Sequence, residues 1–306
     1  ISIISHGGSI AFNIEDTVSN IFSGNALDTA ANINGATNVT VTDAVNVAQG
    51  TALRAATNSG TYTYSISDTA ALVAAGASAT VNGATTITCT GTAATGPEAT
   101  TLAGLSPSTV TYNISDSAED LAAATTSTAG LNGAVNIVAT GGDAATAAAA
   151  TKLLAATNSG TTTIAEVAAT SADAKNLTLT SNDTITTLTV TGTTSIADAV
   201  TINAKDTGSN IGTVAFATIT GSGADIIANN TEAKLATTIT VTGTVTVAQA
   251  ETLRANDAVN DGTADTFSYS ISDTYTNLML DTDQDTATDN DAAVTQASSI
   301  TVTDNL

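Results

Sequence analysis

The hexapeptide YSISDT is written twice, at residues 64–69 and 269–274, and both copies belong to a pattern that recurs along the whole chain. With the aspartate of SISD as anchor, related segments place Asp16, Asp68, Asp116, Glu166, Gly221 and Asp273 in equivalent positions, at spacings of 52, 48, 50, 55 and 52 residues. A second motif alternates with the first. It begins at Val39, Ile87, Ile137, Leu188, Ile239 and, truncated, at Ile300; it reads VTVTDAVNVAQ in its first copy and ITVTGTVTVAQ in its fifth. A period of this length marks a stack of like supersecondary units, none of which buries enough surface to fold alone.

Both motifs share one inner order. A Thr-rich alternation such as Val39-Thr40-Val41 or Ile239-Thr240-Val241 has the period of a strand with one buried face. An Asp or Gly closes it, at Asp43, Gly91, Gly141, Gly192, Gly243 and Asp304. An Ala-rich stretch follows, in which Val247, Ala250 and Leu253 fall at helical spacing. Asp followed by Thr or Ser suits a helix start, and ATNSG at 56–60 and 156–160 suits a helix stop with a turn. Strands joined by helical crossovers run parallel and cross over right-handedly. The expected fold is therefore an α/β repeat: a right-handed β/α solenoid with one parallel sheet and short Ala-rich helices, about 25 residues per turn. It forms a single solenoid over 1–306, about six modules of roughly 50 residues and about twelve turns, on the order of 55–60 Å long. A closed eight-stranded barrel fits the length, but its strands read as nearly continuous apolar runs rather than alternating with Thr.

The columns Val39, Ile87, Ile137, Leu188, Ile239, Ile300 and Val41, Cys89, Ala139, Val190, Val241, Val302 then become apolar ladders. Tyr64, Tyr112 and Tyr269 are expected to plug the core edge, with their hydroxyls reaching water.

Six Lys plus Arg against 28 Asp plus Glu give a net charge of −22, which opposes binding to nucleic acid or to anionic membranes. A hydrophobic share of 42% with clear periodicity separates the chain from disordered acidic sequences. No run of about 18 strongly apolar residues predicts a membrane-spanning helix. The chain opens at Ile1 with neither Met nor a leader pattern, and reads as processed or as part of a longer polypeptide.

The residues capable of chemistry are few. His6 is the only histidine and Cys89 the only cysteine, and Cys89 stands where sister modules carry Val or Ala. His6 reads as a turn residue, Cys89 as a small core residue, and the chain as no enzyme. The Gly-rich stretches lack the lysine of a phosphate-binding loop. The acidic run at 281–291 places Asp281, Asp283 and Asp285 at alternate positions, like the opening of a calcium loop, but has no Gly at its sixth position and Ala292 at its twelfth. Calcium at these three aspartates is the one cofactor expectation, set against a solvated acidic loop; residues 256–265 form a weaker second acidic stretch. The junction aspartates Asp16, Asp68, Asp116 and Asp273 read as helix caps. Stacked threonines such as Thr240 and Thr242 offer a hydroxyl array of the sort an ice- or ligand-binding module uses, or simply a solvated strand face.

The segments YSISDTAALVAA, ITVTGTVTVAQAETLRA and AATNSGTYTYSISDT resemble repeats of very large, secreted, acidic proteins of cyanobacteria and alphaproteobacteria, adhesin-like, surface-layer-like or RTX-associated. Related stretches occur in phage structural proteins. The resemblance spans essentially the whole chain. It implies an extracellular or cell-surface protein without enzymatic activity, part of a filament, surface layer or adhesin stalk; a phage fibre component is the alternative. The glycine-rich calcium nonapeptide that accompanies such repeats is absent. The expected partner is more of the same: coils of a longer chain or of a neighbouring subunit, stacked end to end.

Overall fold

The computed structural model describes residues 11–28, 33–124, 128–206, 210–257, 266–279 and 292–304. It is a mixed α/β protein of short helices and parallel strands, divided into two compact units. One comprises Ile1–Thr140 with Ala155–Thr162, the other Gly141–Leu154 with Thr163–Leu306.

In the first unit the strand Ile14–Asp16 pairs with Val39–Val41, which pairs with Tyr62–Thr63. A second sheet orders Ile66–Asp68, Thr86–Cys89 and Thr109–Thr111, and Ile114–Ser117 pairs with Ile137–Thr140. All these pairings are parallel. The one sheet read from the sequence is thus divided here, and the reason is local. Thr40 faces Thr63, but the next pairing is Val45 with Ile66, so the Thr-rich strand spends two extra residues around Asp43 and the ladder breaks. The same unit holds one feature that the repeat does not announce, a small antiparallel hairpin of Phe22–Ser23 with Ala26–Leu27, turning at Gly24 with φ 65°.

In the second unit the strands Thr162–Thr170, Asp183–Ser195, Ile211–Ser222, Ala236–Val245, Thr266–Asp273 and Ser299–Val302 lie side by side in chain order. Here the surplus residues are absorbed as bulges. Register slips between Val190 and Thr193 and between Thr240 and Thr244, and at those points Gly192 and Gly243 hold φ of 72° and 75°, a left-handed turn that favours glycine.

In the parallel pairings of both units, paired residues are separated by 20 (Ile219 with Ile239) to 29 (Ile271 with Ile300) positions in sequence. Most connections between paired strands carry a short helix with a buried apolar stripe, though none separates Tyr62–Thr63 from Ile66–Asp68 or Thr109–Thr111 from Ile114–Ser117. In Val247–Asp257 the buried residues include Val247, Ala250 and Leu253, at the spacing expected of a helix face. The strand faces alternate as their sequences do: Val39 and Val41 are buried with Thr40 half-exposed between them.

Tyr64, Tyr112 and Tyr269 depart from expectation. They are 1–2% exposed, so their hydroxyls do not reach water. Each donates to a backbone carbonyl of a following short helix: Thr80 at 2.7 Å, Gly130 at 2.9 Å and Ala293 at 2.7 Å. A carbonyl at a helix terminus lacks an intrahelical donor, and a buried phenol lacks an acceptor, so each satisfies the other.

Candidate functional site

The polar side chains that sequence marks as special gather where a strand ends and a helix begins. Asp68 shows the arrangement. Its Oδ1 accepts the N–H of Thr69 at 2.8 Å, while Oδ2 accepts the N–H of Val47 at 2.9 Å. Val47 is the first residue of a helix one layer earlier. Asp116 does the same with Ser117 and Gly96, and Asp273 with Thr274 and Val247. The second motif contributes too: Asp43 accepts from Val18, and Asp304 from Tyr275, each the first residue of its helix.

Asp68, Asp116 and Asp273 therefore do bond helix starts, but those of a helix earlier in the chain. The helix that follows them is capped by the next residue, as Thr69 accepts from Leu72 and Ser117 from Asp120. A carboxylate facing the free N–H groups and positive end of a helix is favourable, and here that attraction ties a strand end to an earlier helix.

Burial by itself pushes the Asp273 carboxyl up, since it is 8% exposed, but hydrogen bonds from Asn277, Val247 and Thr274 outweigh this and hold it below its ordinary value. Asn20 and Thr17 lower Asp16, and Lys175 at 2.7 Å lowers Asp198.

The fourth module differs from its reading. The register pairs Ala145 with Val167, as Ala94 pairs with Ile114 and Val45 with Ile66, so the residue equivalent to Asp68 and Asp116 is Ala169 rather than Glu166. With Ala169 the spacings become 52, 48, 53, 52 and 52 residues. At this corner an open groove of about 670 Å³ is lined by Thr146, Ala147, Ala169, Thr170, Asp173 and Thr191, among others. Its counterpart in the first unit, of about 560 Å³, is lined by Thr95, Pro97, Asp116, Asp120 and Ala123.

A second set of ties, absent from the sequence reading, rests on asparagine. Asn34, Asn82 and Asn132 accept the backbone N–H of Thr57, Ser106 and Thr157, which lie 23 to 25 residues further on. Their signal is plain in retrospect, since each opens an Asn-Gly-Ala triplet at 34–36, 82–84 and 132–134. Asn58 and Asn158 repeat one arrangement of their own, each donating to two backbone carbonyls, Thr37 and Thr61 in one case, Val135 and Thr161 in the other.

Cys89 stands beside Asp68 in register and is half-buried. Burial first, then the charges of Asp68 and Glu98, push its thiol up to about 11, which leaves almost no thiolate at neutral pH. The outward hydroxyl file includes Thr40 against Thr63 and Thr220 against Thr240, but Val138 and Ala215 interrupt it. Asp281, Asp283, Asp285 and His6 lie outside the described residues, and among the described residues no group of three His, Cys, Asp or Glu is arranged to hold a metal ion. No described helix is long and apolar enough to cross a membrane. No protein-family profile, curated protein or solved structure matches this chain.

Proposed function

We propose that each unit is a run of right-handed β/α solenoid coils of about 25 residues, and that the protein is a non-enzymatic, extracellular structural component of a filament, surface layer or adhesin stalk. The observation that carries this reading is where the polar side chains are spent. Asp68 and Asp116 bridge to helix starts 21 and 20 residues earlier, and Asn132 to a backbone N–H 25 residues later. Asp68 and Asp116, the aspartates of the repeat, are committed to joining neighbouring layers, which is the use a strut makes of them. The strongly acidic composition supports an exposed, soluble, self-repelling surface.

Immunogold labelling of intact producing cells with antibody raised against this chain is expected to decorate the cell surface or material extending from it. Label confined to the cell interior would sink the extracellular assignment, and label on virus particles would move the protein to a phage fibre.

A further inference from the structure

We propose that Asn34, Asn82 and Asn132 are latent deamidation sites, held shut by the hydrogen bond each accepts from the chain 23 to 25 residues further on and released when that contact opens. Asn34-Gly35, Asn82-Gly83 and Asn132-Gly133 are the three Asn-Gly pairs of the sequence, 48 and 50 residues apart. The chemistry of such a pair is intramolecular. The backbone nitrogen of the glycine gives up its proton and attacks the asparagine Cγ, closing a five-membered succinimide and expelling the side-chain nitrogen as ammonia. Water then opens the ring at one of its two carbonyls. One opening leaves aspartate; the other leaves isoaspartate, whose main chain runs through the former side chain and is one methylene longer. Glycine favours ring closure because no Cβ crowds its nitrogen and its backbone turns freely.

Water is at hand in the folded protein, since Asn34 and Asn132 are exposed and Asn82 is half-exposed. What holds the reaction back is geometry. Ring closure requires the asparagine backbone to rotate out of the right-handed helical region and the side-chain carbonyl to turn toward the next nitrogen. Asn82 ends Ser78–Val81 at φ −74° and ψ −15°. Its Nδ2 donates to Ser78 Oγ at 2.9 Å, and its Oδ1 accepts the N–H of Ser106 at 2.8 Å. Asn132 is the last residue of the helix Ala129–Asn132 and accepts from Thr157 at 2.8 Å. There the attacking nitrogen is engaged as well, because the Gly133 N–H donates to the Ala129 carbonyl at 2.9 Å. Asn34 lies in the 3₁₀ turn Ile33–Gly35 and accepts from Thr57 at 3.0 Å. Each closing bond comes from outside the turn that carries the asparagine, so it lasts only while the two segments stay together. All six residues belong to the first unit. Aspartate keeps an acceptor oxygen where Oδ1 stood, whereas isoaspartate displaces it and lengthens the turn. A turn that stays open long enough to react therefore does not close again, and a transient opening becomes permanent.

The test holds the 306-residue chain at mildly alkaline pH, folded or in guanidinium chloride, and samples it by peptide mapping and by enzymatic methylation of isoaspartate. In denaturant the three Asn-Gly pairs are expected to convert ahead of every other asparagine; in the folded chain they convert about tenfold or more slowly. On return to buffer, the fraction of wild type that refolds falls in step with its isoaspartate content. The triple variant Asn34→Asp, Asn82→Asp, Asn132→Asp keeps the acceptor oxygens and presents ionised carboxylates, which resist attack by nitrogen. It is expected to refold fully after the same treatment. Equal rates in the folded and denatured chains overturn the proposal, as does an absence of conversion at these pairs in denaturant. So does full refolding of wild type rich in isoaspartate, or a triple variant that loses refolding as wild type does. Should the triple variant not fold at all, the isoaspartate content of refolded against unrefolded wild type decides: equal content overturns the proposal, and enrichment in the unrefolded fraction supports it.

Discussion

Two residues show how buried polar groups are managed. Asp273 is held in its ionised form by three hydrogen bonds, against the cost of its burial. A carboxyl whose folded pKa lies below its unfolded value of about 3.9 stabilises the fold above that pH, and its contribution disappears as pH falls through the folded value. Asp273→Asn is therefore expected to lower stability at pH 7, while wild type and variant converge as pH falls toward about 2. Urea midpoints across that range check it; a gap that stays constant in acid would show that the charge is irrelevant. Thr194 is the opposite case. It is fully buried, and its hydroxyl has no partner among the described residues. The equivalent positions just before a helix start are Val45, Ala94, Ala145 and Val245, all apolar. Thr194→Val keeps the shape and removes the stranded hydroxyl, so it is expected to raise stability by about 1 kcal/mol. A loss of stability would mean that the hydroxyl has a partner such as a buried water.

Elements rather than residues decide how much of the structure was readable. Strands were legible because Val39-Thr40-Val41 and its copies alternate, and helices because Val247, Ala250 and Leu253 recur on one face. Neither inference needed a neighbour. What the sequence does not display are contacts whose partner lies on a neighbouring strand or its helix. Ala169 carries no polar side chain to mark it as a junction, and Glu166, three residues earlier, offers the acidic group of the motif; only the pairing of Ala145 with Val167 restores the register. Asp68 and Asp116 read as caps of the helices that follow them because capping is usually local, yet their second oxygen bonds the start of the helix before. The tyrosine hydroxyls are alike in this, since their acceptors are carbonyls of a following helix. The element that receives them can be tested as a pair. A Cβ on Gly133 would stand 2.6 Å from the Tyr112 hydroxyl, although the backbone there is ordinary right-handed helix. Gly133→Ala is expected to destabilise the protein, and Tyr112→Phe to cost about 1–3 kcal/mol by leaving the Gly130 carbonyl unpartnered. In the Tyr112→Phe background the Gly133→Ala cost should shrink, giving a coupling of about 0.5–3 kcal/mol in a double-mutant cycle. Additive losses would show that the clash involves the backbone at Ala129 instead.

For the whole molecule the governing quantity is charge. Twenty-eight Asp and Glu are spread along the 306 residues with six Lys and Arg to offset them, which leaves a net charge of −22. The ion pair of Lys175 with Asp198 is a surface contact, both side chains being 34% exposed, and such pairs contribute about 0–1 kcal/mol. The repulsion is longer-ranged and shared by every layer, because compacting the chain brings all the carboxylates closer together. Added salt acts on both, but there is far more repulsion to screen than attraction. Raising NaCl from about 0.01 to 0.1 M shortens the screening length from about 30 to about 10 Å. The melting temperature is therefore expected to rise, by a few degrees, with protein held near 1 μM so that assembly does not contribute and with EDTA present so that divalent ions do not. The hydrogen bonds that tie the layers through Asp68 and Asp116 span about 3 Å and are little affected over this range. A melting temperature that falls with salt would mean that attractive pairs, rather than the buried apolar contacts and short hydrogen bonds, dominate the balance.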